Sequence, residues 1–143
     1  MSRAELVETF RDFPARFGAA ARAAKDRPVP PGEWGPGEIG RHLIAVEREV
    51  WWTRFASMID EDEPHWAWTE PGLEPGLEGA ALEEILGRHA VVRARSVAIL
   101  DGFDAAAWAR TGTHATYGLL DVTALLRIAT DHDAEHLASL TAG

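Results

Sequence analysis

Two histidines four residues apart, His132 and His136, stand near the end of the chain, and a third, His42, lies far upstream. At that spacing on a helix two side chains sit one above the other on the same face. Both imidazoles can then reach a single divalent ion at about 2 Å. The face also carries Leu125 and Ala129, which turns it toward a core. His42 shares its own face with Ile39 and Val46, so it points inward as well and is the leading candidate for a third ligand. Three neutral imidazoles leave at least one coordination position open to water or substrate, the arrangement of a catalytic site rather than a closed structural one.

Sharper metal signatures fail. The run His132-Asp133-Ala134-Glu135-His136 has the form of the inverted zinc-protease motif, but that class takes its third ligand far downstream and too little chain follows His136. The forward form, H-E-x-x-H, fails because Asp133 stands in the glutamate position. Di-iron bundles need Glu-x-x-His on two helices, and no glutamate here has a histidine three residues later. An isolated histidine is more often a hydrogen-bonded core residue than a ligand, and His65, His89 and His114 are read that way or as loop residues. Glu38 and Glu49 fall near the direction of His42 on a helical wheel, as a second layer or general base, or simply as capping or solvated acids. Asp131, Asp133 and Glu135 flank the histidine face and are expected to be solvated. Trp51 and Trp52 cannot both face a core; Trp34, Trp66, Trp68 and Trp108 lie near loops that could rim a pocket.

Four amphipathic stretches must position these groups. The first runs from Arg3 to Lys25, with Leu6, Phe10, Phe13 and Phe17 at helical spacing and with Pro14 predicting a kink or an early stop. The second starts near Gly35-Pro36-Gly37 and reaches about Met58. A long loop rich in acids, prolines and tryptophans spans Asp60 to Gly79. The third helix covers about Ala80 to Leu100. A connection carrying Trp108 and Thr111 to Gly118 follows, and the fourth helix runs from about Leu120 to Leu140 with Asp121 near its cap. No segment alternates as a strand would. The reading is an all-α four-helix bundle forming one domain, residues 1–143.

Composition narrows the function. Apolar residues make up 46% of 143, a globular balance with room for one core. The net charge of −9 speaks against nucleic acid or an anionic membrane as partner. Absence of cysteine excludes thiolate metal sites and disulfides. No apolar run approaches a membrane span, and Met1 to Phe17 lacks the apolar stretch of a secretory signal, so the expected location is the cytoplasm.

The stretch from Trp34 to Glu47, Trp-Gly-Pro-Gly-Glu-Ile-Gly-Arg-His-Leu-Ile-Ala-Val-Glu, resembles the second-helix signature of the DinB/YfiT-like family, the DNA-damage-inducible helical bundles of bacteria. The segment from Gly118 to Leu137 resembles that family's last helix, and Phe13-Pro14 and Trp108-Ala-Arg-Thr-Gly are similar to its other landmarks. The resemblance implies a bundle of up-down-down-up connectivity, often a homodimer, whose three-histidine site falls on His42, His132 and His136. It also implies zinc or nickel, with iron or manganese as further options. The implied activity is metal-dependent thiol S-transfer to a small electrophile, with a low-molecular-weight thiol such as bacillithiol or mycothiol. The same ion would suit hydrolysis. The alternative is a non-catalytic dimeric binding or stress-response module with a structural or vestigial site.

Overall fold

Ser2 starts the first helix of the computed structural model, which describes residues 1–141. Its hydroxyl accepts the Glu5 N–H at 3.1 Å while the Glu5 carboxylate accepts the Ser2 N–H at 3.2 Å, a capping box that satisfies two otherwise free donors. Helix α1 then runs Arg3–Ala24 without a stop at Pro14. Proline cannot donate to the carbonyl four residues before it. Here the side chain of Arg93 supplies the missing donor, reaching the Phe10 carbonyl at 2.9 Å. A residue distant in sequence thus lets the helix continue where the local sequence predicts a break.

Helix α2 (Pro36–Val46) opens with proline in its first turn, and the Glu38 carboxylate accepts the Gly35 N–H at 3.3 Å. Glu38 is therefore a capping acid. The second helical stretch is not one regular helix. A π-helical turn, Glu47–Trp51, separates α2 from α3 (Trp52–Asp60). A π turn inserts about one extra residue and rotates everything beyond it by roughly 100° relative to a regular helix. Helices α4 (Leu82–Asp101) and α6 (Val122–Thr141) complete the bundle, with Asp121 accepting the Ala124 N–H at 2.8 Å at the start of α6.

Contacts between helices give their directions. Arg11 bonds Asp101 and Arg22 bonds Glu83, so α1 and α4 run oppositely. Gly40 lies against Ile85 and Glu47 pairs with Arg93, so the second helical stretch runs alongside α4 in the same sense. Parallel neighbours need a long return connection, which residues 61–81 provide. Gly40 is required by that approach: a Cβ there would come within 2.7 Å of Ile85 Cγ2. The core comprises Leu6, Phe10, Phe55, Met58, Leu125 and Leu126 at one end, and Phe13, Phe17, Ile39 and Leu43 toward the other. No described helix is long and apolar enough to cross a membrane.

The connections contain structure that the all-α reading omitted. Strand β1 (His65–Trp66) pairs in parallel with β2 (Thr111–His114), which pairs antiparallel with β3 (Gly118–Asp121). Strands of two to four residues are too short to show alternation in a sequence. Gly112 on β2 lies under the Trp66 indole, where a Cβ would collide with the ring. The short helix α5 (Ala105–Trp108) is capped by Asp104. This small sheet closes the bundle beside the histidines.

Candidate metal centre

His42 comes from α2, and His132 and His136 come from successive turns of α6. One ring nitrogen from each lies within 4.8 Å of the others, all three side chains being half-buried. The Nε2 atoms of His132 and His136 are 3.3 Å apart. Two nitrogens bonded to one zinc at tetrahedral angles stand about 3.3 Å apart, so this pair already has the required edge. His42 Nδ1 lies 3.1 Å from the Gly72 carbonyl. A carbonyl only accepts, so Nδ1 carries the proton and the Nε2 lone pair is left free, as in many metal sites where a carbonyl orients the ligand. His132 Nδ1 is buried without a protein partner among the described residues. The donor set therefore fits a borderline divalent ion such as zinc or nickel.

Burial keeps the rings of His132 and His136 neutral. Burial pulls His132 down to about 4, helped by His136, His42 and Arg93 nearby. Burial, with His42, does the same to His136, also to about 4. Neutral rings have lone pairs available at neutral pH, when exposed imidazoles begin to compete with protons. The folded pKa values lie below 6.5, so as pH falls the unfolded chain takes up protons first. Stability of the metal-free protein is therefore expected to be constant above about pH 7 and to fall between about 6.5 and 4. His89, pulled down to about 3 by burial and by Arg93, acts in the same sense. Asp133, whose carboxyl burial raises to about 6, opposes it as one acid against three histidines, so the fall is reduced but keeps its sign. Urea midpoints in chelator at pH 7.5 and pH 5 test this; equal midpoints would contradict it.

The histidines form one side of a cavity of about 760 Å³. Trp34, Trp51, Trp68, Val46, Val50 and Ile128 give it an apolar wall. The long loop forms part of the rim and is strapped down: Arg41 donates to the Glu74 carbonyl at 3.0 Å, and Arg48 grips the Glu74 carboxylate at 3.0 and 3.1 Å. Trp34 lies tilted against His42 with ring centroids 5.0 Å apart, and Trp51 packs edge-on to His132 at 5.8 Å. Trp51 is buried, whereas Trp52 lies partly covered under Arg95. Trp66 bonds Ser57 and Trp108 packs into the core, so neither lines the cavity.

Other residues depart from their sequence reading. Asp133, expected in solvent, is 3% exposed and accepts two bonds from Arg93 at 2.9 and 3.0 Å. Arg93 also donates to Glu47 at 2.7 Å. Only a distant cation explains a buried acid beside the ligand face, and helical spacing on α6 does not reveal it. Asp131 and Glu135 are exposed at the rim, and Glu49 is exposed outside the cavity. His89 is buried against Phe13 and Phe17, and His65 is exposed on β1. His114 lies on β2 rather than in a loop, 2% exposed, with its ring on the cavity wall. Arg54, which helical spacing had passed over, also lines the cavity. The π turn explains the oversight: on a regular wheel Arg54 is about 120° away from His42, and the extra residue brings it to within roughly 20°.

A helical bundle in which two elements bring three histidines together at the wall of an apolar cavity defines the structural class. Within that class the chain belongs to the DinB superfamily, whose model matches residues 3–140. Among solved structures it is similar to YfiT from Bacillus subtilis, described as a probable metal-dependent hydrolase with an unusual four-helix bundle topology. The two share 18% identity at a TM-score of 0.75, over 99% of this chain and 86% of that one. That likeness is one of fold. No curated protein matches the sequence.

Proposed function

We propose that this protein is a metal-dependent enzyme acting on a small organic molecule, with His42, His132 and His136 holding one divalent ion. The observation that carries the reading is the convergence of three imidazole nitrogens within 4.8 Å at the wall of a cavity of about 760 Å³. A closed structural site would not open onto a space of that size, which suits a drug-sized ligand. This favours catalysis over a non-catalytic module. The chemistry such an ion supplies is Lewis acidity, lowering the pKa of a thiol or water in contact with it.

The chain's own groups would do the rest. Gly72 orients His42, the indoles of Trp34 and Trp51 exclude water from the histidines, and Asp131 and Glu135 at the rim are placed to exchange protons. Thiol S-transfer to a small electrophile is our first reading, because the cavity can hold a thiol and a second molecule together. Hydrolysis is the second, favoured by the description of YfiT. Elemental analysis of protein purified without chelator should show stoichiometric zinc or nickel. A panel of low-molecular-weight thiols with an aryl chloride, run beside aryl esters in buffer alone, then separates the two activities. Metal-free protein with an undiminished histidine cluster would remove the basis of both.

A further inference from the structure

Arg54 is 7% exposed, yet no carboxylate of the described residues pairs with it. Its one hydrogen bond among the described residues runs from Nη2 to the Ala67 carbonyl at 3.0 Å, and the guanidinium lies 5.9 Å over the Trp66 ring. Buried arginines ordinarily have an acid or several acceptors, because a desolvated cation left alone is costly. By contrast Arg93, the other buried arginine, has two acids and a carbonyl. Arg54 keeps Nε and Nη1 uncommitted on the wall of the cavity that also holds the three histidines. Beside it, His114 accepts the N–H groups of Thr116 and Tyr117 on Nδ1, at 2.9 and 3.2 Å. That fixes the proton on Nε2, a second donor for which no hydrogen bond is found among the described residues.

We propose that Arg54, assisted by His114, binds the carboxylate of the substrate and so positions its apolar body across the tryptophans toward the histidine cluster. A guanidinium fork matches a carboxylate in plane and spacing. The cavity carries the acids Glu70, Asp131 and Glu135 besides, so one cation suits a monoanion and not a phosphate dianion. The inference deepens the enzymatic reading in that it takes this cavity to be the substrate site, but anion binding at Arg54 does not require the ion.

The test uses 2-naphthoate and its uncharged partner 2-naphthamide, titrated calorimetrically into the full chain as purified and after treatment with chelator. In both forms the carboxylate should bind about tenfold tighter or better, as expected for charge-assisted bonds in a buried site. Arg54→Gln should abolish the preference and leave metal content unchanged. Equal affinities in the wild type, or a preference that survives Arg54→Gln, would overturn the proposal. So would a preference confined to the metal-loaded form, which would put the anion on the ion. Should Arg54→Gln not fold, the Arg54 Nε–H resonance of the wild type decides: it should shift with 2-naphthoate and not with 2-naphthamide, and an unmoved resonance refutes the site. Protein that carries no metal when purified without chelator, yet prefers the carboxylate, would sink the metal reading alone; protein that carries its metal but lacks the preference would sink this one alone.

Discussion

Replacing His132 with alanine is expected to lower the metal content of the purified protein from about one ion per chain to less than about a tenth, and to weaken zinc or nickel binding roughly a hundredfold or more. The size follows from geometry. His132 and His136 hold their Nε2 atoms 3.3 Å apart and His42 is fixed on Gly72, so removing one ring leaves two ligands that cannot enclose the ion. An ion that binds only the folded state stabilises it by mass action. The wild-type Tm should therefore rise with added metal and the variant's should not. His89→Leu is the matched control, since His89 is buried against Phe13 and Phe17 and should keep full metal content after substitution. A His132→Ala protein that retains its ion, or a His89→Leu protein that loses it, would refute the assignment of ligands.

Replacing Arg93 with methionine is expected to cost about 3–5 kcal/mol from the broken buried ion pairs alone. The orphaned Phe10 carbonyl adds about 1–3 kcal/mol. Arg93 is 2% exposed and donates to Glu47, Asp133 and that carbonyl, with its guanidinium 3.7 Å over the Phe10 ring. Its loss strands two buried carboxylates on separate helices and reopens the gap that Pro14 leaves in α1. Against a total stability of about 5–15 kcal/mol, that approaches unfolding for a protein of this size. Urea unfolding should show the midpoint falling with little change in slope. The triple variant Arg93→Met, Glu47→Leu, Asp133→Leu should recover most of the ion-pair part, because burying no charge is cheaper than burying an unpaired one. It should stay below the wild type by the cost of the Phe10 carbonyl. A single variant within 1 kcal/mol of wild type, as an order-of-magnitude bound, would show the network to be inert.

The reach of sequence reasoning divides along the range of the forces involved. The helices and their faces were legible because amphipathic spacing is local: Leu6, Phe10, Phe13 and Phe17 fall on one side of any helix that contains them. The same rule places His132 over His136, and the caps at Ser2 and Asp121 follow from residues three positions away. Even His42 could be nominated from its own face. Its meeting with the pair, and the loop carbonyl that turns its ring, required the packed chain.

What the local pattern could not contain were the interactions joining separate segments. Pro14 predicts a break by itself and fails to make one because Arg93 arrives from α4. Asp133 looks solvated on its own helix and is buried for the same reason. The strands β1 to β3 exist through pairing between residues far apart in the chain, in runs too short to announce themselves. The π turn at Glu47–Trp51 changes which residues share the cavity with His42, and nothing in a regular periodicity signals it. By itself the sequence determined four amphipathic helices and three histidines able to converge, since helical spacing alone sets those directions. Only the tertiary structure decided the company they keep: the strapped loop, the buried Arg93 pairs and the uncommitted Arg54, each made by contacts between groups that no repeat along the chain relates.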